Sequence, residues 1–311
     1  MSVDMKGKDL VSVHDLATEE VWQILKTAEM MKLRQKSGIQ ERPLAGKTLA
    51  MIFHKPSTRT RVSFEVGIWQ LGGYALYLGA SDLQLRRGET LADTARTLSR
   101  YVDGIMIRTF AHADVVELAR YAGVPVINGL TDLLHPCQAL TDIFTLYEKR
   151  GRLAGLRLAY VGDGNNVAHS LMYAGAKVGM HVVVATPEGH EPDPQVLAGA
   201  KRDAAATGGS VEVVTRPGEA VRGADAVYTD VWASMGQEGE EDRRRQVFRP
   251  YQVNRELLDA SGRPGVLFLH CLPAHRGDEV TDEVVDGPHS VVFDQAENRL
   301  HVQKAVMALV M

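Results

Sequence analysis

Ser57, Thr58, Arg59, Thr60 and Arg61 follow one another directly, and hydroxyl and guanidinium groups at that density suit an oxyanion. An apolar stretch at residues 48–53 precedes them, Pro56 interrupts it, and an apolar-periodic segment (Val62, Val66, Trp69) follows. That order predicts strand, turn and helix. The turn then exposes a helix N-terminus, whose unpaired N–H groups and positive dipole end favour an anion. Ser57, Thr58 and Thr60 add neutral donors, and Arg59 adds a planar fork that grips oxyanions bidentately. Phosphate is the expected ligand. An ordinary capped surface helix is the competing reading, because Ser and Thr caps are common.

Four further groups carry chemistry. Arg108 directly follows a strand-like run at residues 104–107, where its guanidinium can meet a ligand held at residues 57–60; a surface ion pair is the plainer alternative. His135-Pro136-Cys137-Gln138 opens a helix, with proline suited to the first turn. An imidazole at that positive end can donate to a polarised carbonyl, and the Gln138 amide oxygen can accept from an NH₂ group. The alternative is a satisfied capping histidine, and Cys137 reads as packing. Gly162-Asp163-Gly164-Asn165-Asn166 ends a strand but lacks the third glycine and the acidic residue of a dinucleotide site. Its asparagine pair suits a carboxylate or an amine. Asp230 ends another strand ahead of Ser234-Met235-Gly236, a carboxylate placed for a cationic substrate. His270-Cys271-Leu272-Pro273 ends a third; metal or thiol-nucleophile chemistry is weakly supported there, since neither ligand spacing nor a triad partner is visible.

These residues need strand ends to sit on. After an amphipathic helix at about 18–35, β-rich runs at 48–53, 74–78, 104–107 and 124–127 alternate with helical patterns, and a long helix runs from about 135 to 149. The alternation restarts beyond 151–155, with runs at 156–161, 181–185, 211–214, 226–229, 266–269 and 291–294. Such alternation implies βαβ units and parallel sheets, whose ligands gather at the C-terminal strand ends. Two similar-sized α/β domains are expected, 1–150 and 151–294.

The chain has 311 residues, of which 45% are hydrophobic and 24% charged, with a formal net charge of −4. Length favours two domains. No apolar run is long enough to span a bilayer, the first residues lack the apolar core of a signal peptide, and two cysteines make no disulfide framework. A cytoplasmic location is expected. The charge gives no reason to expect nucleic acid, and Arg243-Arg244-Arg245 after acidic residues 238–242 reads as a solvated, mobile loop.

Together, Ser-Thr-Arg-Thr-Arg, His-Pro-x-Gln, Asp-x-x-x-Ser-Met-Gly and His-Cys-Leu-Pro, in this order across nearly the whole chain, resemble the ornithine carbamoyltransferases. The first two motifs are shared with aspartate carbamoyltransferases; the last two point to the ornithine branch. The resemblance implies transfer of a carbamoyl group from carbamoyl phosphate to the δ-amine of L-ornithine in arginine biosynthesis, without cofactor or metal. By the same resemblance Ser57, Thr58, Arg59, Thr60, Arg108, His135 and Gln138 bind carbamoyl phosphate with Cys271, Leu272 and Arg299, while Gln84 reaches the site of a neighbouring subunit. Asn166, Asp230, Ser234 and Met235 bind ornithine, and Arg108, His135, Asp230 and Cys271 are the catalytic groups. The resemblance also implies an active site in the cleft between the two domains, a last helix at about 295–311 packing back on the first, and a homotrimer or multiple of trimers. Rival readings are a carbamoyltransferase for N-acetylornithine or putrescine, which Ser-Met-Gly opposes, and a non-catalytic phosphometabolite-binding protein.

Overall fold

The computed structural model describes residues 3–79, 83, 88–233 and 238–311. Two compact units divide the chain: Met1–Thr141 with Glu297–Met311, and Asp142–Ala296.

In the first unit α1 (Thr18–Lys36) is followed by β1 (Thr48–Phe53), α2 (Thr58–Gln70), β2 (Tyr74–Gly79), α3 (Leu91–Leu98), β3 (Gly104–Arg108), α4 (His112–Tyr121) and β4 (Val126–Leu130). The strands are parallel, in the order β2-β1-β3-β4. Covered on both faces, β1 and β3 read as continuous apolar runs, buried from Leu49 to Phe53 and from Gly104 to Arg108, as inner strands of parallel sheets do. From β1 the chain goes to β2 on one side and later to β3 on the other. The crevice beyond the carboxyl ends of β1 and β3 is therefore the topological switch point, where such sheets bind ligands.

The chain enters the second unit within α5 (Pro136–Arg150). There β5 (Arg157–Val161), α6 (Asn166–Lys177), β6 (His181–Ala185), α7 (Pro194–Thr207), β7 (Ser210–Val214), α8 (Pro217–Val221), β8 (Ala226–Tyr228), α9 (Glu241–Phe248), α10 (Arg255–Asp259), β9 (Leu267–Leu269) and α11 (Asp282–Val285) follow, and α12 (Val292–Val310) returns the chain to the first unit. This sheet is parallel too, in the order β7-β6-β5-β8-β9, with its switch point between β5 and β8. On one side of it Val161, Val183, Val227, Phe248, Phe268 and their neighbours form the core.

Three expectations change. Residues 291–294 are not a strand, since α12 begins at Val292 and Gln295 N–H donates to Val291 O at 2.8 Å. Val292, Gln295, Asn298, Arg299 and Val302 are buried while Phe293 is exposed, a helical period that outweighs the β preference of two valines and a phenylalanine. Arg243-Arg244-Arg245 do not form a loop. They belong to α9, which buries Arg244 and Phe248, four residues apart, and exposes Arg243 and Arg245. Arg108 is the last residue of β3, where the pairing with β4 shifts register, instead of the first residue after it.

Candidate active site

At the first switch point Ser57 caps α2: its Oγ accepts from Thr60 N–H at 3.1 Å, which satisfies one of the donors that every helix N-terminus leaves open. The remaining first-turn N–H groups point beyond the helix, beside exposed Thr58 and half-buried Arg59. Thr60 is buried, and its Oγ1 accepts from Arg299 Nη2 at 3.2 Å. Arg299 Nη1 donates to Gln138 Oε1. An amide oxygen can accept a second bond, so this contact orients Gln138 without disqualifying it as an acceptor for an NH₂ group. Arg299, on α12, thus ties the start of α2 to the start of α5.

His135 stands at the head of α5, just before Pro136, with its carbonyl accepting from Ala139 N–H at 3.2 Å. Burial, and then the cationic side chains of Arg299, Arg108 and Arg59, hold its pKa well below the usual histidine value. It is a neutral imidazole at physiological pH, able to donate one N–H to a carbonyl oxygen without carrying a charge. Arg108 is 7% exposed at the end of β3, so two of the three guanidinium groups acting on His135, those of Arg108 and Arg299, are themselves buried. This is a place for an anion. Cys137, buried one residue beyond Pro136, donates to Asn128 O at 3.5 Å, and burial pushes its thiol up to about 12; it packs, as its position suggested.

At the second switch point Asp230 follows β8 and is 6% exposed. Its Oδ1 accepts from Cys271 Sγ at 3.0 Å, and its Oδ2 accepts from Asn165 Nδ2 at 2.9 Å. Asn165 also caps α6, accepting from Val167 and Ala168 N–H, and accepts from Tyr160 O–H at 3.2 Å. The side chain that orients Asp230 is therefore Asn165, while Asn166, singled out by the resemblance, is the first residue of α6 and buried. The glycines before it have their own cause. A Cβ on Gly164 would stand 2.4 Å from Pro192 N, so the turn after β5 packs against residues 190–192 too closely for any side chain, and no nucleotide is required to explain the pattern.

Cys271 and Leu272 follow β9. Leu272 has φ of +59° and a cis bond to Pro273. That φ is uncommon for a branched residue and persists only where neighbours impose it. Here Leu272 N–H donates to His270 Nδ1 at 2.8 Å, while His270 Nε2 faces Glu279 Oε1 at 3.2 Å, both side chains fully buried. Since Nδ1 accepts, the ring proton facing Glu279 is on Nε2. Glu279 Oε1 also accepts from His275 N–H at 2.6 Å. The adjacent histidine is thus a brace for the turn and does not act on the thiol. Donor atoms of Asp230, His270 and Cys271 lie within 4.8 Å of one another, but both ring nitrogens of His270 are engaged. A cation would find two donors, fewer than a closed tetrahedral site needs.

The structure therefore gathers Thr60, Gln138, His135, Arg108 and Arg299 in one unit, and Asn165, Asp230 and Cys271 in the other. Gln84, Ser234 and Met235 lie outside the described residues. The role of Asn165, one of the asparagine pair, in orienting Asp230 was not foreseen from sequence, nor was Glu279, and Arg244 was read there only as part of a solvated loop. Asn165 had a signal, as a capping residue between a glycine turn and a helix, whereas nothing local marks Glu279 or Arg244.

Polar groups gather at the switch points of two parallel sheets, a cationic set in one unit and a buried carboxylate in the other, the arrangement of a two-domain α/β protein that binds its ligands at strand ends. Residues 8–148 match the domain family described as aspartate/ornithine carbamoyltransferase, carbamoyl-P binding domain, and residues 154–310 match aspartate/ornithine carbamoyltransferase, Asp/Orn binding domain. The chain belongs to the aspartate/ornithine carbamoyltransferase family. It is 66% identical over 311 residues to an ornithine carbamoyltransferase of Thermococcus kodakarensis, covering 100% of this chain and 98% of that one. It is 63% identical, with the same coverage, to the anabolic ornithine carbamoyltransferase of Pyrococcus furiosus. Among solved structures, an ornithine carbamoyltransferase from Pyrococcus furiosus superposes with a TM-score of 0.97 at 63% identity, covering 100% of this chain and 99% of that one. One from Gloeobacter violaceus gives 0.88 at 50% identity, with 99% and 100% covered.

Proposed function

We propose that this chain transfers the carbamoyl group of carbamoyl phosphate to the δ-amine of L-ornithine, forming citrulline and phosphate for arginine biosynthesis. The observation that carries this reading is the division of charge. Buried guanidinium groups and a helix N-terminus in one unit suit a phosphorylated electrophile, and the Asp230–Cys271 pair in the other suits a cationic amine.

Carbamoyl phosphate is a mixed anhydride and already activated, so positioning and polarisation suffice. In this reading residues 57–60 hold the phosphate. Arg108 and neutral His135 stabilise the oxyanion of the tetrahedral intermediate, Gln138 orients the carbamoyl NH₂, and Arg59 favours departing phosphate. Arg299 holds Gln138 and Thr60 in place, and Cys271 and Leu272 complete the carbamoyl site. An alkylammonium has a pKa of roughly 10.4, so about one molecule in a thousand is neutral at pH 7.4, and only that form attacks. Asp230, oriented by Asn165 and Cys271, binds the cation and presents the neutral amine; Asn166, Ser234 and Met235 hold the rest of ornithine.

The same reading includes a homotrimer or multiple of trimers, with Gln84 serving a neighbour's site. Its support is an exposed apolar surface: Val62, Val66 and Trp69, one face of α2, and Tyr74, Leu76 and Tyr77 on edge strand β2, joined where the Arg61 guanidinium lies 3.9 Å over the Tyr77 ring. Exposed patches of this kind mark association surfaces, and an uncovered apolar edge strand is a liability. Two unbridged cysteines, Cys137 and Cys271, fit a reducing cytoplasm, and among the described residues no helix is long and apolar enough to cross a membrane.

The test is a turnover panel with carbamoyl phosphate and ornithine, N-acetylornithine, putrescine or aspartate, without added metal or nucleotide. Citrulline formation that outpaces every other product supports the reading. Preference for another amine, or activity that vanishes on chelation and returns with a metal, overturns the substrate or the cofactor-free claim respectively.

A further inference from the structure

Arg244 has no part in the chemistry above, yet its side chain is buried in the second unit. Nη1 donates to Asp163 Oδ2 at 2.9 Å and to Trp232 O at 2.6 Å. Its guanidinium carbon lies 5.8 Å from the centroid of the Phe248 ring, which stacks on Trp232 at 6.1 Å and 22°. The two acceptors belong to the two turns that build the candidate amine site. Asp163 is in the turn after β5, two residues before Asn165, whose amide holds Asp230. Trp232 is in the turn after β8, two residues beyond Asp230 and two before Ser234. Removing one member of a buried ion pair leaves an uncompensated charge, which costs far more than a surface pair is worth. Here that charge would be Asp163, left among the described residues with only His190 Nδ1, 3.5 Å from its Oδ1, and close enough to feel Asp230.

We propose that Arg244, acting through Asp163 and Trp232, is a positioning residue for the amine substrate. It clamps the turn carrying Asn165 to the turn carrying Asp230, and so fixes the carboxylate that meets the amine. Asp163 and Arg244 work as one unit. The inference rests on the assignment of Asp230 to ornithine, and it leaves the carbamoyl phosphate contacts of the other unit untouched.

The experiment compares wild type, Arg244→Gln, Arg244→Lys, Asp163→Asn and the double variant Asp163→Asn/Arg244→Gln as intact oligomers. Steady-state kinetics is measured in each substrate, alongside calorimetric titration of carbamoyl phosphate and thermal melting. The clamp predicts that kcat/KM for ornithine falls at least about tenfold in Arg244→Gln and in Asp163→Asn, that carbamoyl phosphate affinity stays within about twofold, and that the double variant is no worse than the poorer single one. Lysine, with charge but no fork, should recover part of the loss. Should Arg244→Gln fail to fold, Asp163→Asn and Arg244→Lys decide. Ornithine kinetics within about twofold of wild type in folded variants, or parallel losses for both substrates, overturns the clamp. A wild-type protein that makes no citrulline overturns the proposed reaction itself, which separates the two failures.

Discussion

Cys271 Sγ lies 3.0 Å from Asp230 Oδ1, the thiol donating to the carboxylate, although 41 residues separate the two in sequence and they follow different strands, β9 and β8. With Asn165 on the other oxygen, Asp230 is held by two donors in a buried setting. Both can yield to an incoming ammonium without leaving the carboxylate unpaired, so Asp230→Asn should cut turnover with ornithine severely. A buried charged contact of this kind is worth on the order of 2–4 kcal/mol, or about thirty- to a thousand-fold in rate. Citrulline formation and calorimetric carbamoyl phosphate binding, measured on the same preparation, check this. Turnover at the wild-type level removes Asp230 from the mechanism, and lost carbamoyl phosphate binding makes it structural.

Arg59→Lys should not be conservative. An ammonium cannot reproduce the planar fork of a guanidinium toward phosphate, so the KM for carbamoyl phosphate should rise at least about tenfold, about 1.4 kcal/mol, with thermal stability unchanged. Steady-state kinetics in carbamoyl phosphate at saturating ornithine gives the answer, and an unaltered KM and kcat contradict the assignment.

Glu279→Ala should destabilise the second unit and slow turnover together. It strips the acceptor from His270 Nε2–H and His275 N–H inside a fully buried pocket, at a cost of roughly 2–5 kcal/mol. It also loosens the brace that holds Leu272 at positive φ. Denaturant titration and citrulline kinetics on one preparation test both halves, and a variant as stable as wild type shows the brace to be dispensable.

Acid should weaken the first unit through His301. Burial, then the cations Lys32 and Lys304, lower its pKa to about 4, against the opposing pull of Glu297, whose Oε1 lies 3.6 Å from its Nε2. The unfolded chain binds this proton at about 6.5 and the folded one only near 4. Stability is thus fully present above about 6.5 and is lost as pH falls toward 4. His112 and His135, also lowered, act with the same sign. Denaturation midpoints at several pH values should fall less steeply on acidification in His301→Gln than in wild type; equal slopes refute the assignment.

If the proposed trimer forms through the exposed apolar surface of α2 and β2 and Gln84 serves a neighbour's site, replacing Trp69, 72% exposed on α2, with glutamate should break assembly and abolish turnover. Sedimentation at assay concentration reports both assembly and the active species. A fully active monomer refutes the shared site.

The sequence by itself determined what depends on neighbours along the chain: the strand at Thr48–Phe53, the serine-capped helix after it, the proline-opened helix after His135, and the placing of each polar motif at a strand end. These follow from periodicity, capping and the φ of proline, which act over a few residues. Even locally it failed where a short β-branched run sat inside a longer helical period, at Val291 and Val292. Only the tertiary structure decided which strand ends share a crevice, because strand order, β2-β1-β3-β4 and β7-β6-β5-β8-β9, is set by sheet pairing between residues far apart. That pairing made Asp230 the partner of Cys271 and Asn165, and gave His270 a brace in Glu279. It also took Arg244 out of a cluster read as solvated and buried it between two turns. A side chain's partner is a matter of three-dimensional distance, and burial decides whether a charge is solvated or must be paired; neither quantity is written in the spacing of residues.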